Sequence, residues 1–164
     1  ERAVRALRSG RSADVEDAVD VSAEINLHVP ALLPARYCSD VHERLTLYKR
    51  LANCTSEEAL EAMTEELVDR FGELPEPARA LLECHRLRVA ARALGITRID
   101  ATHEAILLHF VKHPPLEAQR IIDFVQSTRG ARFAGPDRLR LEAKLPEWQA
   151  RGRAVKDALR RLAA

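Results

Sequence analysis

Residues 74–95, LPEPARALLECHRLRVAARALG, mark the point at which the chain changes from helices to strands. Pro75 and Pro77 lie at the start of this segment and Gly95 at its end. This arrangement is typical of a helix that begins after a proline turn and ends at a glycine. Beyond Gly95 the helical repeat of apolar residues stops, and three short segments have the composition of strands: ITRID, AILLHF and DRLRLEA.

Two further helices are predicted before this junction. Asp40 and Glu43 have the spacing of a capping box and begin the first helix. Thr55 and Glu58 repeat that signature and begin the second, which ends near Arg70. The repeat of apolar residues predicts the core stripe of the first helix, namely Val41, Leu45, Tyr48, Leu51 and Ala52.

The two ends of the chain complete the expected architecture. Residues 23–34 alternate Ile25, Leu27 and Val29, which indicates a strand stopped by the prolines that follow. A helix over residues 116–127 interrupts the later strands, glycines near residues 130 and 135 supply turns, and Pro146 opens a last helix. We therefore expect an α+β fold: a helical cluster with a small, mostly antiparallel sheet and a C-terminal helix.

Composition excludes several classes of protein. A chain of 164 residues with 46% hydrophobic residues forms about one domain with a real core. Its 26 basic and 25 acidic residues lack the excess positive charge of a dedicated nucleic-acid binder. Three scattered cysteines (Cys38, Cys54 and Cys84) do not form a disulfide framework, so we expect a reducing cytoplasm. No apolar run approaches the roughly 18 residues that a membrane span needs, so no membrane partner is expected.

Catalytic and metal motifs are weak or absent in the sequence. Neither G-x-x-x-x-G-K-[ST] nor G-x-G-x-x-G occurs, so no phosphate cradle is predicted. Cys38 with His42 and Cys84 with His85 are the nearest approach to a ligand pair or a Cys-His nucleophile. No C-x-x-C accompanies them, and four convergent ligands are the rule for zinc. We therefore expect no metal, no cofactor and no catalysis from this chain; a hydrolase would require activity of the chain alone.

Arginines suggest an alternative in which the chain contacts DNA or a polymerase directly. Arg86, Arg88 and Arg92 lie in HRLRVAAR and could reach phosphates. They alternate with apolar core positions, however, and long arginine side chains at such positions often cover apolar surface while their charge stays in water.

The acidic helix over residues 55–71 raises a different possibility. At about 100° per residue, one narrow stripe holds Leu60, Met63, Leu67 and Phe71. Glu58, Glu65 and Asp69 lie opposite, with Glu66 to one side. Six acids precede a single base, Arg70, so the helix has few stabilising i,i+4 pairs, and Asp69 opposes the helix dipole. Solvation alone could explain this face, but a cationic partner elsewhere would offset these costs.

Three segments together resemble the C-terminal domain of bacterial transcription-repair coupling factors: DVHERLTLYKRLA, ELVDRFGELPEPAR and LRVAARALGI. The most specific parts are R-L-x-x-Y-K-R at residues 44–50 and D-R-F-G-x-L-P-x-P at residues 69–77. The resemblance implies a regulatory domain over residues 23–164. It also implies that residues 1–22 are the last helix of a preceding motor domain and a linker. The absence of an initial methionine agrees with a fragment of a longer bacterial, cytoplasmic protein.

The resemblance also implies a function. Members of this family are ATP-dependent DNA translocases, whose ATP and Mg belong to the motor. Their C-terminal domain is non-catalytic: it clamps the UvrB-like domain of the same polypeptide and masks the UvrA-binding surface. The motor releases the clamp when it engages stalled RNA polymerase. Residues matching Glu66 and Asp69 face arginines of the UvrB-like domain, so we expect these two to form the clamp, with Glu65 and Arg70 as candidate helpers. Direct DNA contact by this domain is not expected.

Overall fold

The computed structural model describes residues 23–164, and the predicted motor helix and linker at residues 1–22 lie outside the described residues. The described part contains five helices: α1 (Val41–Asn53), α2 (Glu57–Phe71), α3 (Glu76–Ala93), α4 (Ala118–Ser127) and α5 (Trp148–Ala163). Its five strands are β1 (Glu24–Asn26), β2 (Ile96–Ala101), β3 (Ala105–Phe110), β4 (Ala131–Gly135) and β5 (Arg138–Glu142). The predicted α+β class with a C-terminal helix is confirmed.

The strands form one sheet in the order β1-β2-β3-β5-β4. Only β1 pairs in parallel, with β2, and the remaining pairs are antiparallel, as predicted. One row of side chains crosses the whole sheet in register: Ile25, Ile99, Leu108, Leu139 and Phe133. Because successive residues of a strand point to opposite faces, this row defines the apolar side of the sheet. Helices α3, α4 and α5 provide the other half of that core.

A second hydrophobic cluster lies among α1, α2 and the first half of α3. Helix α3 belongs to both clusters. Leu81 and Leu82, near its start, pack with the other two helices. Leu87 and Ala91, one to three turns later, pack with the sheet. The helix predicted from residues 74–95 therefore packs against both halves of the domain and connects them.

Helix ends largely follow the predicted chemistry. Asp40 is the N-cap of α1, and its carboxylate accepts a hydrogen bond from the backbone N–H of His42 at 2.9 Å. The prediction for α2 is wrong by one residue, since Ser56 rather than Thr55 is its N-cap and accepts from Ala59 N at 3.1 Å. Gly72 ends α2 with a φ of 91°, a value that favours glycine.

The predicted core stripe of α1 is confirmed for Leu51 and Tyr48 and is wrong for Val41, Leu45 and Ala52. Leu47 and Leu51 are the buried residues of this helix, while Val41 and Leu45 are 57% and 53% exposed. The helix carries apolar residues on two sides, and at about 100° per residue Leu45 lies roughly 120° from Leu51. Periodicity alone could not decide which side meets α2 and α3.

Two strand predictions also needed correction. The alternation through residues 23–34 produces a strand of only three residues, β1, although Leu27 beyond it is buried. Strand β4 was not predicted, because its sequence ARFAG ends in glycine and lies between turns. As an exposed edge strand, β4 lacks the continuous apolar pattern of an interior strand. No helix of residues 23–164 is long and apolar enough to cross a membrane.

Two leucines of α1 provide a direct test of its orientation. We expect Leu47→Ala to lower the free energy of unfolding by about 2–5 kcal/mol, because it leaves a cavity in the core. Leu45→Ala removes the same atoms from the same helix at an exposed position and is expected to change stability by no more than about 0.5 kcal/mol. Urea unfolding of both variants checks this, and equal losses would contradict the observed orientation of α1.

Candidate functional site

Helix α2 buries the stripe that its sequence predicts. Leu60, Met63 and Leu67 are buried, and Phe71 closes the stripe in partly buried contact with the same cluster. The hydroxyl of Tyr37 lies 3.0 Å from the carbonyl oxygen of Leu67 and fixes the end of the helix. These contacts on one side hold the opposite, acidic side of α2 toward solvent.

Glu65 and Asp69 lie on this outer side and are exposed. Among residues 23–164, no ion pair includes either carboxylate. Asp69 also lies in the last turn of α2, where the partial negative charge of the helix end opposes an anion. Both carboxylates therefore lie exposed on the side opposite the buried stripe, as the winding of the sequence predicts.

Glu66 has a different environment from its two neighbours. Arg50 of α1 donates two hydrogen bonds to it, from Nη2 to Oε1 at 2.6 Å and from Nη1 to Oε2 at 2.6 Å. Arg70 donates a third, from Nη1 to Oε2 at 3.0 Å. The hydrogen bonds from Arg50 are the main cause that lowers the pKa of the Glu66 carboxyl below its ordinary value. The sequence predicted a cationic partner outside this helix, and the resemblance placed that partner outside the domain. For Glu66, that partner is instead found within the domain, as Arg50 and Arg70.

Arg70 joins α2 to the start of α1. Its second amino group pairs with the carboxylate of Glu43, and its guanidinium lies 4.9 Å from the centre of the Phe71 ring. Glu43 is therefore an ion-pair partner of Arg70 rather than the predicted partner in a capping box. Together Arg50, Glu66, Arg70 and Glu43 form a chain of charges along the seam between α1 and α2, which we call the α1–α2 ion network.

Sequence reasoning did not identify Arg50 and Glu43 as members of this site. Their partners come from a neighbouring helix, which the winding of α2 alone does not show. The signal that could have found them is the short connection between α1 and α2, because helices joined by so few residues usually pack as antiparallel neighbours. The basic end of α1 then faces the acids of α2.

The arginines of the alternative hypothesis are not equivalent in the structure. Arg88 is partly buried and donates to the carbonyl oxygens of Leu51 at 3.2 Å and Cys54 at 3.1 Å, at the C-terminal end of α1. Burial lowers the pKa of its guanidinium. Arg86 is partly buried and Arg92 is exposed. Arg88 thus holds α1 against α3, and a phosphate would have to displace it from two carbonyl groups.

The cysteine and histidine pairs have no activated group. All three cysteines are free thiols, and Cys38 and Cys54 are buried. Burial raises the pKa of Cys84 to about 11, so its thiol is protonated at neutral pH. Burial and the nearby Arg88 lower the pKa of His85 to about 4. Within residues 23–164, no group of three or more histidine, cysteine or acidic residues is placed to hold a metal ion.

The neutral imidazole of His85 gives a pH-dependent stability. Its Nδ1 accepts a hydrogen bond from Nε of Arg88 at 3.2 Å. Because the pKa of His85 is lower in the folded state (about 4) than its ordinary value of 6.5, the unfolded chain takes up the proton first as the pH falls. The contribution of this residue is therefore complete above pH 6.5 and is lost progressively down to about pH 4.

We expect the wild-type chain to lose about 1–2 kcal/mol more stability than His85→Gln between pH 7 and pH 5, a figure that allows for partial solvent screening. Glutamine keeps an acceptor for Arg88 but does not titrate. Urea unfolding at the two pH values measures the difference. Parallel losses in both proteins would mean that His85 has its ordinary pKa in the folded chain.

Comparisons with known proteins identify the family of this chain. The TRCF domain family model matches residues 27–121. The chain is 37% identical to the transcription-repair-coupling factor of Escherichia coli (strain K12) over 163 residues, which cover 99% of this chain and 14% of that protein. It is 36% identical to the protein of the same name from Haemophilus influenzae, with the same coverage. The chain thus spans about a seventh of the length of these relatives.

A solved structure agrees with the fold. The crystal structure of a C-terminal domain of transcription-repair coupling factor superposes with a TM-score of 0.70 at 23% sequence identity. The match covers 86% of this chain and 93% of the other. The family match thus comes from the sequence and the shared architecture from the superposition. The chain belongs to the transcription-repair coupling factor family and represents the C-terminal domain of such a protein.

Proposed function

We propose that this domain is the autoinhibitory clamp of a transcription-repair coupling factor. It binds the UvrB-like domain of the same polypeptide and masks the UvrA-binding surface until the ATP-driven motor engages stalled RNA polymerase. The observation that carries the proposal is the outer side of α2, where Glu65 and Asp69 are exposed and without an ion pair among residues 23–164. Glu66 lies beside them and completes an acidic surface for arginines of the partner.

The role of the domain in this proposal is non-catalytic. The ATP and Mg of the parent protein belong to its motor domain. Within this domain, the protonated thiol of Cys84 and the low pKa of His85 argue against a Cys-His nucleophile. Binding through charged side chains is then the chemistry that the acidic surface offers.

The energetics suit a contact that can be released. An exposed ion pair contributes only about 0–1 kcal/mol, whereas close charge pairs across an interface couple by roughly 1.5–7 kcal/mol. Tethering in one polypeptide provides an effective concentration of the order of 1 mM. With an intrinsic dissociation constant of about 10 μM, roughly 100 closed molecules exist for each open one. Reversing that ratio to 1:100 takes about 5.5 kcal/mol of differential binding by the polymerase or DNA.

Calorimetric titration of the 164-residue chain with the UvrB-like domain of the same protein tests the clamp. We expect binding that weakens with added salt, because the contact is between charged groups. Glu66→Ala/Asp69→Ala should reduce the affinity roughly 10- to 100-fold, equivalent to about 1.4–2.7 kcal/mol. Circular dichroism of the variant confirms that its fold is intact.

A matched control separates a local contact from overall charge. Glu104→Ala/Asp157→Ala removes two exposed carboxylates from the sheet end and α5 and is expected to bind as the wild type does. Asp69→Ala alone should weaken binding while leaving the α1–α2 ion network intact. Equal binding by all these proteins would place the clamp on another surface of the domain.

The same titration with duplex DNA at low and high salt tests the alternative, in which Arg86, Arg88 and Arg92 contact DNA or the polymerase. The hydrogen bonds of Arg88 to two backbone carbonyl groups argue against a DNA contact by this residue. We expect no salt-sensitive DNA binding at concentrations at which the UvrB-like domain binds. DNA binding together with no binding to the UvrB-like domain near 1 mM would favour the alternative.

A further inference from the structure

The carboxylate of Glu66 is almost fully occupied within its own domain. An ionised carboxylate offers about four lone-pair positions, two on each oxygen. Arg50 uses one position on Oε1 and one on Oε2, and Arg70 uses the second position on Oε2. One position on Oε1 is left. A guanidinium that binds side-on, through two parallel N–H groups, needs the position on each oxygen that faces the other oxygen, and Arg50 occupies both of these.

An arginine from a partner therefore cannot bind Glu66 side-on while Arg50 remains in place. The two internal arginines differ in what they lose when they leave. Arg70 also pairs with Glu43, so it keeps one carboxylate after it releases Glu66. Arg50 has no second ion pair among residues 23–164. Release of Arg70 would free only an outward position on Oε2, whereas displacing Arg50 frees the facing position on each oxygen that side-on binding needs.

We propose that Arg50 competes with the partner's arginine for Glu66 and thereby sets the strength of the clamp. This inference rests on the proposed function. Arg50 weakens binding, since each closing event breaks the Arg50–Glu66 pair. The side chains of Arg50 and Glu66 are 44% and 32% exposed, so solvent and a partner can reach both. Glu65 and Asp69 have no such competitor and accept a cation without displacing one.

Competition also makes the clamp easier to open. When the partner's arginine leaves Glu66, Arg50 replaces it with the same two hydrogen bonds. The Glu66 carboxylate then exchanges one guanidinium for another, so water does not have to solvate an unpaired charge when the clamp opens. Arg50 thus lowers the affinity of the closed state and supplies the group that takes over in the open state.

Titration of Arg50→Ala with the UvrB-like domain tests the competition. We expect the variant to bind roughly 3- to 10-fold more tightly than the wild type, because loss of a surface ion pair no longer opposes closing. Arg50→Lys retains the charge but not the two-pronged geometry, so it should fall between the two. Arg50→Lys also keeps the test available if the alanine variant does not fold.

Two controls exclude a general effect of charge. Lys49→Ala removes the same charge from the neighbouring residue, which is exposed and has no ion pair among residues 23–164, and should not tighten binding as Arg50→Ala does. In a Glu66→Gln background, Arg50→Ala should have no further effect, because the two residues act through one contact.

Each outcome distinguishes this inference from the proposed function. Tighter binding by Arg50→Ala that disappears with Glu66→Gln supports the competition. Unchanged or weaker binding by a folded Arg50→Ala overturns it, as does an equal gain from Lys49→Ala or a gain that persists with Glu66→Gln; the clamp itself stands in those cases. No binding by the wild-type chain overturns the proposed function and this inference with it.

Discussion

The side chains of helix α3 divide between two hydrophobic clusters, and the relative position of the two halves of the domain depends on this division. Leu81 and Leu82 hold α1 and α2, while Leu87 and Ala91 hold the sheet. Arg88, next to Leu87, donates hydrogen bonds to two carbonyl groups at the end of α1. The acidic side of α2 is therefore fixed by contacts made on the opposite side of the same helical layer.

The positions of the helices and strands could be predicted from the sequence better than which side of each one is buried. Proline and glycine at the ends of α3 and the change of period after Gly95 are local signals, so the fold class followed from them. Leu45 and Leu47 differ by two positions in a helix with apolar residues on two sides, and only tertiary packing decides which is buried. Strand β4 depends on pairing with β5, a contact that its own five residues do not encode.

The same distinction applies to the candidate site. Glu65 and Asp69 were placed on the outer side by the winding of α2, because a helix with one apolar stripe fixes the direction of its other residues. Glu66 was assigned to the same surface, yet its immediate partners are Arg50 and Arg70. A charge balance counted along one helix cannot include a cation from the preceding helix, and for Glu66 the apparent shortage of basic partners came from that restriction.

The parallel pairing of β1 has a consequence for the order of folding. Ile25 pairs with Ile99, so the first described strand must wait until three helices and β2 have been synthesised before it finds its place at the sheet edge. Contacts between residues so distant in sequence carry a large loop-closure cost and form late. The first described strand is thus added to a sheet whose other strands are joined by shorter connections, and this edge of the sheet is completed only when the rest is in place.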